Sequence, residues 1–294
     1  TVVPGNGVKP IVEDGIIKSD GTTVLGGDDK AGIAAVLEAV TALEEANIPH
    51  GPVQVIFTVA EEIGLLGAKY VDLEKIPPVD GAFFFDSDGM PNEICVASPY
   101  HIDLTVTFQG KAAHAGVEPE KGISAVQMAA KAIANMRLGR LDEETTANIG
   151  IIQGGRATNV VAGETVLYGE ARSLNKEKVD GQIAHMIACC EEAAQEMGGT
   201  AVCKVEECYA AIDLDPESVT VQLACAAVRR LGLEPHLVKS GGGSDANVFC
   251  GKGIPATNVG VGMTNVHSVE EYLKISEMKT AAEFVLAVIE EARA

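Results

Sequence analysis

Four short stretches carry the side chains best suited to chemistry. Asp28 and Asp29 follow two glycines in LGGDDK, and Glu61 and Glu62 follow an apolar run that ends at Ala60. Asp86 follows GAFFF, and His267 lies just past an apolar run that ends near Gly260. Ordinary structural readings exist for most of them. Paired aspartates cap a helix and complement its dipole, Asp86-Ser87-Asp88-Gly89 has turn chemistry, and a histidine can be a satisfied loop residue. Glu61-Glu62 fits no such reading well, because adjacent carboxylates repel where a strand leaves the core. With Asp28 and Asp86 as the aspartates, a set of two aspartates, two glutamates and a histidine could converge on one crevice, where the carboxylates would repel one another. A divalent cation relieves that repulsion, and mixed carboxylate and imidazole ligands suit zinc, cobalt or manganese.

The surrounding patterns supply elements to position these groups. Asp28 to Ala46 places Ile33, Val36, Leu37, Val40 and Leu43 at helical spacing and predicts a helix. PVQVIFTVA (Pro52 to Ala60) and GAFFF (Gly81 to Phe85) are near-continuous apolar runs. They predict strands covered on both faces, as in a parallel sheet with flanking helices. Such sheets bind ligands beyond the carboxyl ends of their strands, where Glu61 and Asp86 fall. At about Pro99 the pattern changes. Tyr100 to Gln109 alternates apolar and polar residues, and a helix near 122–138, strands near 148–153 and 160–172, a helix at 176–197 and a strand at 200–209 follow. This βαββαβ order predicts a ferredoxin-like α+β domain. From Asp215-Pro216, a helix start, the earlier alternation resumes. Ile254 to Gly260 reads as a buried strand, and Ser268 to Glu271 as a capping box opening the last helix. The expected organisation is an α/β domain of residues 1–98 and 211–294, interrupted by an α+β domain of residues 99–210.

Composition narrows the function classes. With 294 residues the chain is long enough for two domains. A net charge of −20 argues against nucleic acid and anionic membranes as partners. No apolar run reaches the roughly 18 residues that suggest a membrane span, and Thr1 to Pro10 lacks the layout of a signal peptide. The seven cysteines are odd in number and form no CxxC pair. That suits reduced thiols in a cytoplasm better than a disulfide framework or a cysteine-based zinc site.

Eight motifs in order carry a family resemblance. They are LGGDDKAG (25–32), TVAEEIGLLGAK (58–69), FDSDG (85–89), GKAAHAG (110–116), GGRATNVV (154–161), GEARS (169–173), GGGSDAN (241–247) and NVHSVEEY (265–272). The chain resembles the peptidase T-like tripeptidases and aminopeptidases. These belong to a zinc peptidase family that also holds carboxypeptidase G, peptidase V and the aminoacylases. The resemblance implies a three-layer zinc-exopeptidase domain whose insertion serves as lid and homodimer contact. It implies up to two zinc ions per subunit, replaceable by cobalt or manganese. Asp28 would bridge them, Glu62 and His267 would complete one site, and Asp86 would belong to the other. It further implies a cis peptide after Asp28, Glu61 as general base, and His114 reaching a partner subunit's active site. Asn159, Arg172 and Gly241, Gly242 and Gly243 match substrate-binding positions.

The family's first zinc ligand is the His of an HxD motif followed by a Thr-Val-like pair. This sequence opens at Thr1-Val2, so the resemblance places HxD and the sheet's first strands before residue 1. It implies one complete zinc site in this chain, of Asp28, Glu62 and His267, and half of a second. The expected activity is hydrolysis of short peptides by metal-activated water, with Arg172 gripping a peptide carboxylate. An aminoacylase, a dipeptidase, or a homologue that binds metal or peptide without turnover are the alternatives.

Overall fold

The computed structural model describes residues 5–293, so the Thr1-Val2 pair lies outside the described residues. In chain order the elements are β1 (Ile11–Glu13), β2 (Ile16–Lys18), α1 (Gly27–Glu45), α2 (Leu66–Lys69), β3 (Ala82–Asp88) and β4 (Glu93–Ser98). Next come β5 (Tyr100–Gln109), α3 (Ala125–Asn135), β6 (Gly139–Arg140), β7 (Thr145–Gly154), β8 (Glu164–Ser173), α4 (Lys176–Glu196) and β9 (Thr200–Tyr209). The last group is β10 (Ile212–Asp213), α5 (Val219–Arg230), β11 (His236–Lys239), α6 (Asp245–Gly251), β12 (Ala256–Thr264), β13 (Tyr272–Lys274) and α7 (Ile275–Glu291). They form two compact units, one running to Ser98 and resuming at Ile212, the other spanning Pro99–Ala211.

The first unit is built on a mixed sheet. Among the described residues its path runs β1-β2-β13-β12-β4-β10, with β3 parallel to β12 and β11 parallel to β4. Consecutive residues of a strand point to opposite faces. Phe84 accordingly meets Phe249 of α6 with ring centroids 5.1 Å apart, while Phe85 meets Phe284 of α7 at 6.1 Å. Helices therefore cover both faces of β3, which gives the three-layer α/β/α arrangement. The α7 side is held by Ile94, Val228, Val259, Phe284 and Val288, and further along by Ala31, Ala35, Val261, Met263 and Ala281.

Four expectations for this unit are corrected here. Pro52 to Ala60 forms no strand, and Val55, Phe57 and Val59 are exposed. An apolar run shows only that a segment tolerates burial; a strand also needs a ladder partner, and 52–60 has none among the described residues. On α1 the buried stripe is Ala31, Ala35, Ala39 and Leu43, whereas Ile33 and Leu37 are exposed. Small side chains let α1 lie close to the sheet, and at Gly32 an added Cβ would stand 2.0 Å from the Phe85 carbonyl oxygen. The capping box at Ser268–Glu271 does not open a helix, since α7 begins at Ile275 and Glu271 is engaged elsewhere. The sheet, expected to be parallel, also holds antiparallel pairs such as β12 with β13.

The second unit is an antiparallel sheet in the order β6-β7-β8-β5-β9. Ile102, Leu104, Val106 and Phe108 of β5 alternate onto one face, where they bury against Met128 and Ala132 of α3 and Met186 and Cys190 of α4. The alternation of β5 is that of a strand with one dry side. Of residues 160–163, expected to be strand, Val160 makes only an isolated bridge and 161–163 are irregular. The cysteines are free thiols, and no described helix is long and apolar enough to cross a membrane.

Candidate metal centre

Three of the candidate ligands, Asp28, Glu62 and His267, sit where the backbone turns sharply, while Asp86 lies within β3. Gly26 adopts a left-handed φ of 73°, and Asp28 and Asp29 are non-helical although they open α1. The Asp28–Asp29 peptide is cis, as the resemblance implies. Asp29 folds back so that its carboxylate accepts the Gly32 N–H at 3.0 Å, capping the regular helix. Ala60 has φ 59°, and the chain then closes a turn in which the Leu65 N–H donates to the Glu61 carbonyl. His267 itself has φ 63°. Left-handed backbone at non-glycine residues is uncommon and collects at functional sites.

These turns bring three ligands together. The His267 Nε2 atom lies 3.0 Å from Asp28 Oδ2 and 3.1 Å from Glu62 Oε1. One ligand atom from each of the three lies within 4.8 Å of the others. Asp86 lies close enough to Asp28 to feel its charge. Its backbone is fixed by Asn258, whose side-chain oxygen accepts the Asp86 N–H at 3.0 Å and whose Nδ2 donates to the Asp86 carbonyl at 2.7 Å. Asp245 accepts a hydrogen bond from the Thr58 hydroxyl.

The electrostatics are those of crowded acids. Burial, opposed by the Gly32 hydrogen bond and reinforced by Asp28 and Glu61, raises Asp29 to about 8. Burial, then Asp29, Glu61 and Asp28, raises Asp86 to about 10. Glu61 is raised to about 7 by burial first, then by Glu62, Asp245 and Asp28. Burial and Asp28 raise Glu62, against which His267 acts. Positive charge placed among these oxygens would restore them to carboxylates. The oxygen, oxygen and nitrogen donors of Asp28, Glu62 and His267 fit a zinc-like ion.

The amino-acid sequence matches a peptidase family model, Peptidase family M20/M25/M40, over residues 2–291. The chain belongs to that family. A relative described as the uncharacterized protein YqjE, from Bacillus subtilis (strain 168), is 50% identical over 99% of this chain and 78% of its own length. The crystal structure of an aminopeptidase PepT from Bacillus cereus ATCC 10987 is 49% identical, with a TM-score of 0.90 over 100% of this chain and 79% of that one. A tripeptidase from Staphylococcus aureus subsp. aureus Mu50 is 42% identical, with a TM-score of 0.94 and the same coverage.

The remaining family-matched residues fall into separate groups. In the second unit His114 and Asn159 are neighbours: His114 bridges Val160, and the Ala115 N–H donates to the Asn159 carbonyl at 2.9 Å. Arg172 lies near the far end of β8, opposite His101 of β5. Its Nε and one terminal nitrogen bind Glu170 at 3.1 and 2.9 Å, and the other terminal nitrogen donates to the Tyr209 hydroxyl at 3.3 Å. Its fork is thus already engaged. In the first unit Gly241 and Gly242 precede α6, and the Ser98 hydroxyl donates to the Gly242 carbonyl at 2.7 Å. A Cβ at Gly241 would meet nothing and one at Gly242 only Ser240 Oγ at 3.9 Å, so no neighbour in the fold demands glycine there.

One residue of the centre escaped the motif reading. Glu271, 2% exposed, accepts the Gly26 N–H at 2.7 Å and the Asp28 N–H at 2.9 Å. It grips the loop carrying Asp28, and a Cβ at Gly27 would stand 2.9 Å from its Oε1. Its sequence signals were its place in NVHSVEEY, four residues after His267, and the Ser268–Glu271 capping-box pattern, which suggested a local role instead.

Proposed function

We propose that this peptidase is a zinc-dependent exopeptidase that hydrolyses short peptides. The observation that carries the reading is the convergence of Asp28, Glu62 and His267, three metal-type donors with ligand atoms inside 4.8 Å. The aminopeptidase and tripeptidase relatives, 49% and 42% identical, support short peptides as substrates.

An ion held by these residues would supply charge that polarises the scissile carbonyl and acidifies a water. Glu61, adjacent to the ligand Glu62 and with its proton affinity raised by burial, takes a proton from the attacking water and returns it to the leaving amine. His114 serves a second subunit. Its Nδ1 accepts the Gly116 N–H at 3.2 Å, so the neutral ring carries its proton on Nε2. That N–H is available to the oxygen that gains charge only in the transition state. Asn159 beside it and the open Gly241–Gly243 turn contact the peptide. Arg172 is left out of this scheme.

The test is metal analysis with tripeptide, dipeptide and N-acyl amino acid assays. Glu61→Gln is expected to keep its metal and lose turnover by roughly 10²–10⁴-fold. Full activity in that variant removes Glu61 as the base, and N-acyl amino acids as the sole substrates would replace the exopeptidase reading with an aminoacylase. Mixing Glu61→Gln with His114→Ala protein should restore activity that neither has alone. Failure to complement would reject the shared site.

A further inference from the structure

The second unit carries another cluster of metal-type donors that the peptidase chemistry does not use. His101, Asp103 and Cys208 present an imidazole nitrogen, a carboxylate oxygen and a sulfur, all within 4.8 Å of one another. They sit on the face of the sheet opposite the Ile102 and Leu104 core, on the two strands by which the unit begins and ends, β5 and β9.

Two features mark the cluster as more than a chance meeting of polar residues. The pairing of β9 with β5 shifts register at His101: Tyr209 stands opposite His101 and Glu207 opposite Ile102, so Cys208 is the extra residue of a β-bulge. A bulge sets two residues against one and re-aims a side chain. Here the Tyr209 ring packs edge-on against His101, centroids 5.1 Å apart, while Cys208 brings its sulfur to the same imidazole. The second feature is His101 Nε2 itself. It is buried and makes no aligned hydrogen bond, although Asp103 and Glu170 each place a carboxylate oxygen 3.0 Å away. One ring proton serves both carboxylates only as a poorly aligned three-centre bond, whereas a cation at a common centre would serve the nitrogen and the oxygen together. Tetrahedral zinc with bonds of roughly 2.0–2.3 Å spaces its donors roughly 3.3–3.8 Å apart. The observed separations reach that range with small side-chain rotations. Arg172, held on Glu170 at 2.9 Å, opposes a cation here and makes Glu170 an outer partner rather than a primary ligand.

We propose that His101, Asp103 and Cys208 form a second divalent-cation site, distinct from the peptidase centre, which ties the entering and leaving strands of the inserted unit together. Its nitrogen, sulfur and oxygen donors select zinc or cobalt over magnesium and calcium. Spacing could not reveal it, because Cys208 lies more than a hundred positions from His101.

Cobalt distinguishes this site from the first, whose candidate ligands include no sulfur. Full-length protein freed of metal is titrated with Co²⁺ while its near-ultraviolet absorbance is followed. A thiolate-to-cobalt charge-transfer band is expected. It should be lost in Cys208→Ser, weakened at least about tenfold in apparent affinity in His101→Ala, and retained in His267→Ala, which disables the peptidase centre instead. Absence of the band in wild-type protein overturns the proposal whatever the variants do. So does a band that survives in folded Cys208→Ser, since another cysteine would then be its source.

Discussion

Glu271 braces the candidate centre without being one of its candidate ligands. Its two carboxylate oxygens are the acceptors for two loop amides at the Asp28 turn. Glu271→Ala strands both, at a cost of about 1–3 kcal/mol for each buried donor left unpaired. It also frees the turn, so zinc affinity is expected to fall about 10–100-fold. Denaturant unfolding and competition with a chromophoric chelator measure the two effects; unchanged zinc affinity would mean that Asp28 is fixed by something else. The acids around it set a pH dependence for metal-free protein. Asp29 and Asp86 are raised from 3.8 to about 8 and about 10, so over that interval the folded state binds more protons than the unfolded one. Stability therefore declines as pH rises through those values, with the linkage slope negative. The thermal midpoint of chelator-treated protein should drop between about pH 5 and 9 relative to that of Asp86→Asn, and zinc should remove most of the difference. Parallel profiles for the two proteins would show that Asp86 does not titrate there.

The helix α1 packs through its smallest side chains. Ala35 is 3% exposed in the core shared with α7 and β12, while Leu37 on the outer side is 51% exposed. Ala35→Leu should overpack that contact and cost about 1–3 kcal/mol. Leu37→Ala should change stability by less than about 0.5 kcal/mol. Denaturation midpoints with unchanged slopes are the readout, and the reverse ranking would assign the core to the other face. The sequence reading preferred Leu37 because periodicity weighs large apolar residues and overlooks alanine. Where an element has one wet and one dry side, it was legible almost to the residue, as in β5, β9 and α4. Where burial depends on a distant partner, it was not. Pro52 to Ala60 has the composition of a buried strand but no ladder beside it, and Glu271 looked like a local cap although its amides lie some 245 positions away. The grouping of Asp28, Glu62 and His267 was legible from motifs placed at chain turns. Asn258, which holds Asp86 by backbone contacts, carried no such signature.

Each unit has its own apolar core, Ile102 to Ala194 in one and Ile94 to Val288 in the other. Their unfolding is expected to separate into two calorimetric transitions. In a His101→Ala background, zinc at a hundred times its dissociation constant should raise only the transition of the first unit, by about 2.7 kcal/mol in stability. A single transition moving as one would show that the cores melt cooperatively. The same division orders events during synthesis. The peptidase centre draws Asp28 and Glu62 from before the inserted unit, and His267 with its brace Glu271 from after it. A ribosome emits the whole of the inserted unit before His267, the last of these donors, emerges. Asp28 and Glu62 must wait as an incomplete pair in the nascent chain, so a metal bound by all three donors would be captured only after the inserted unit has been made.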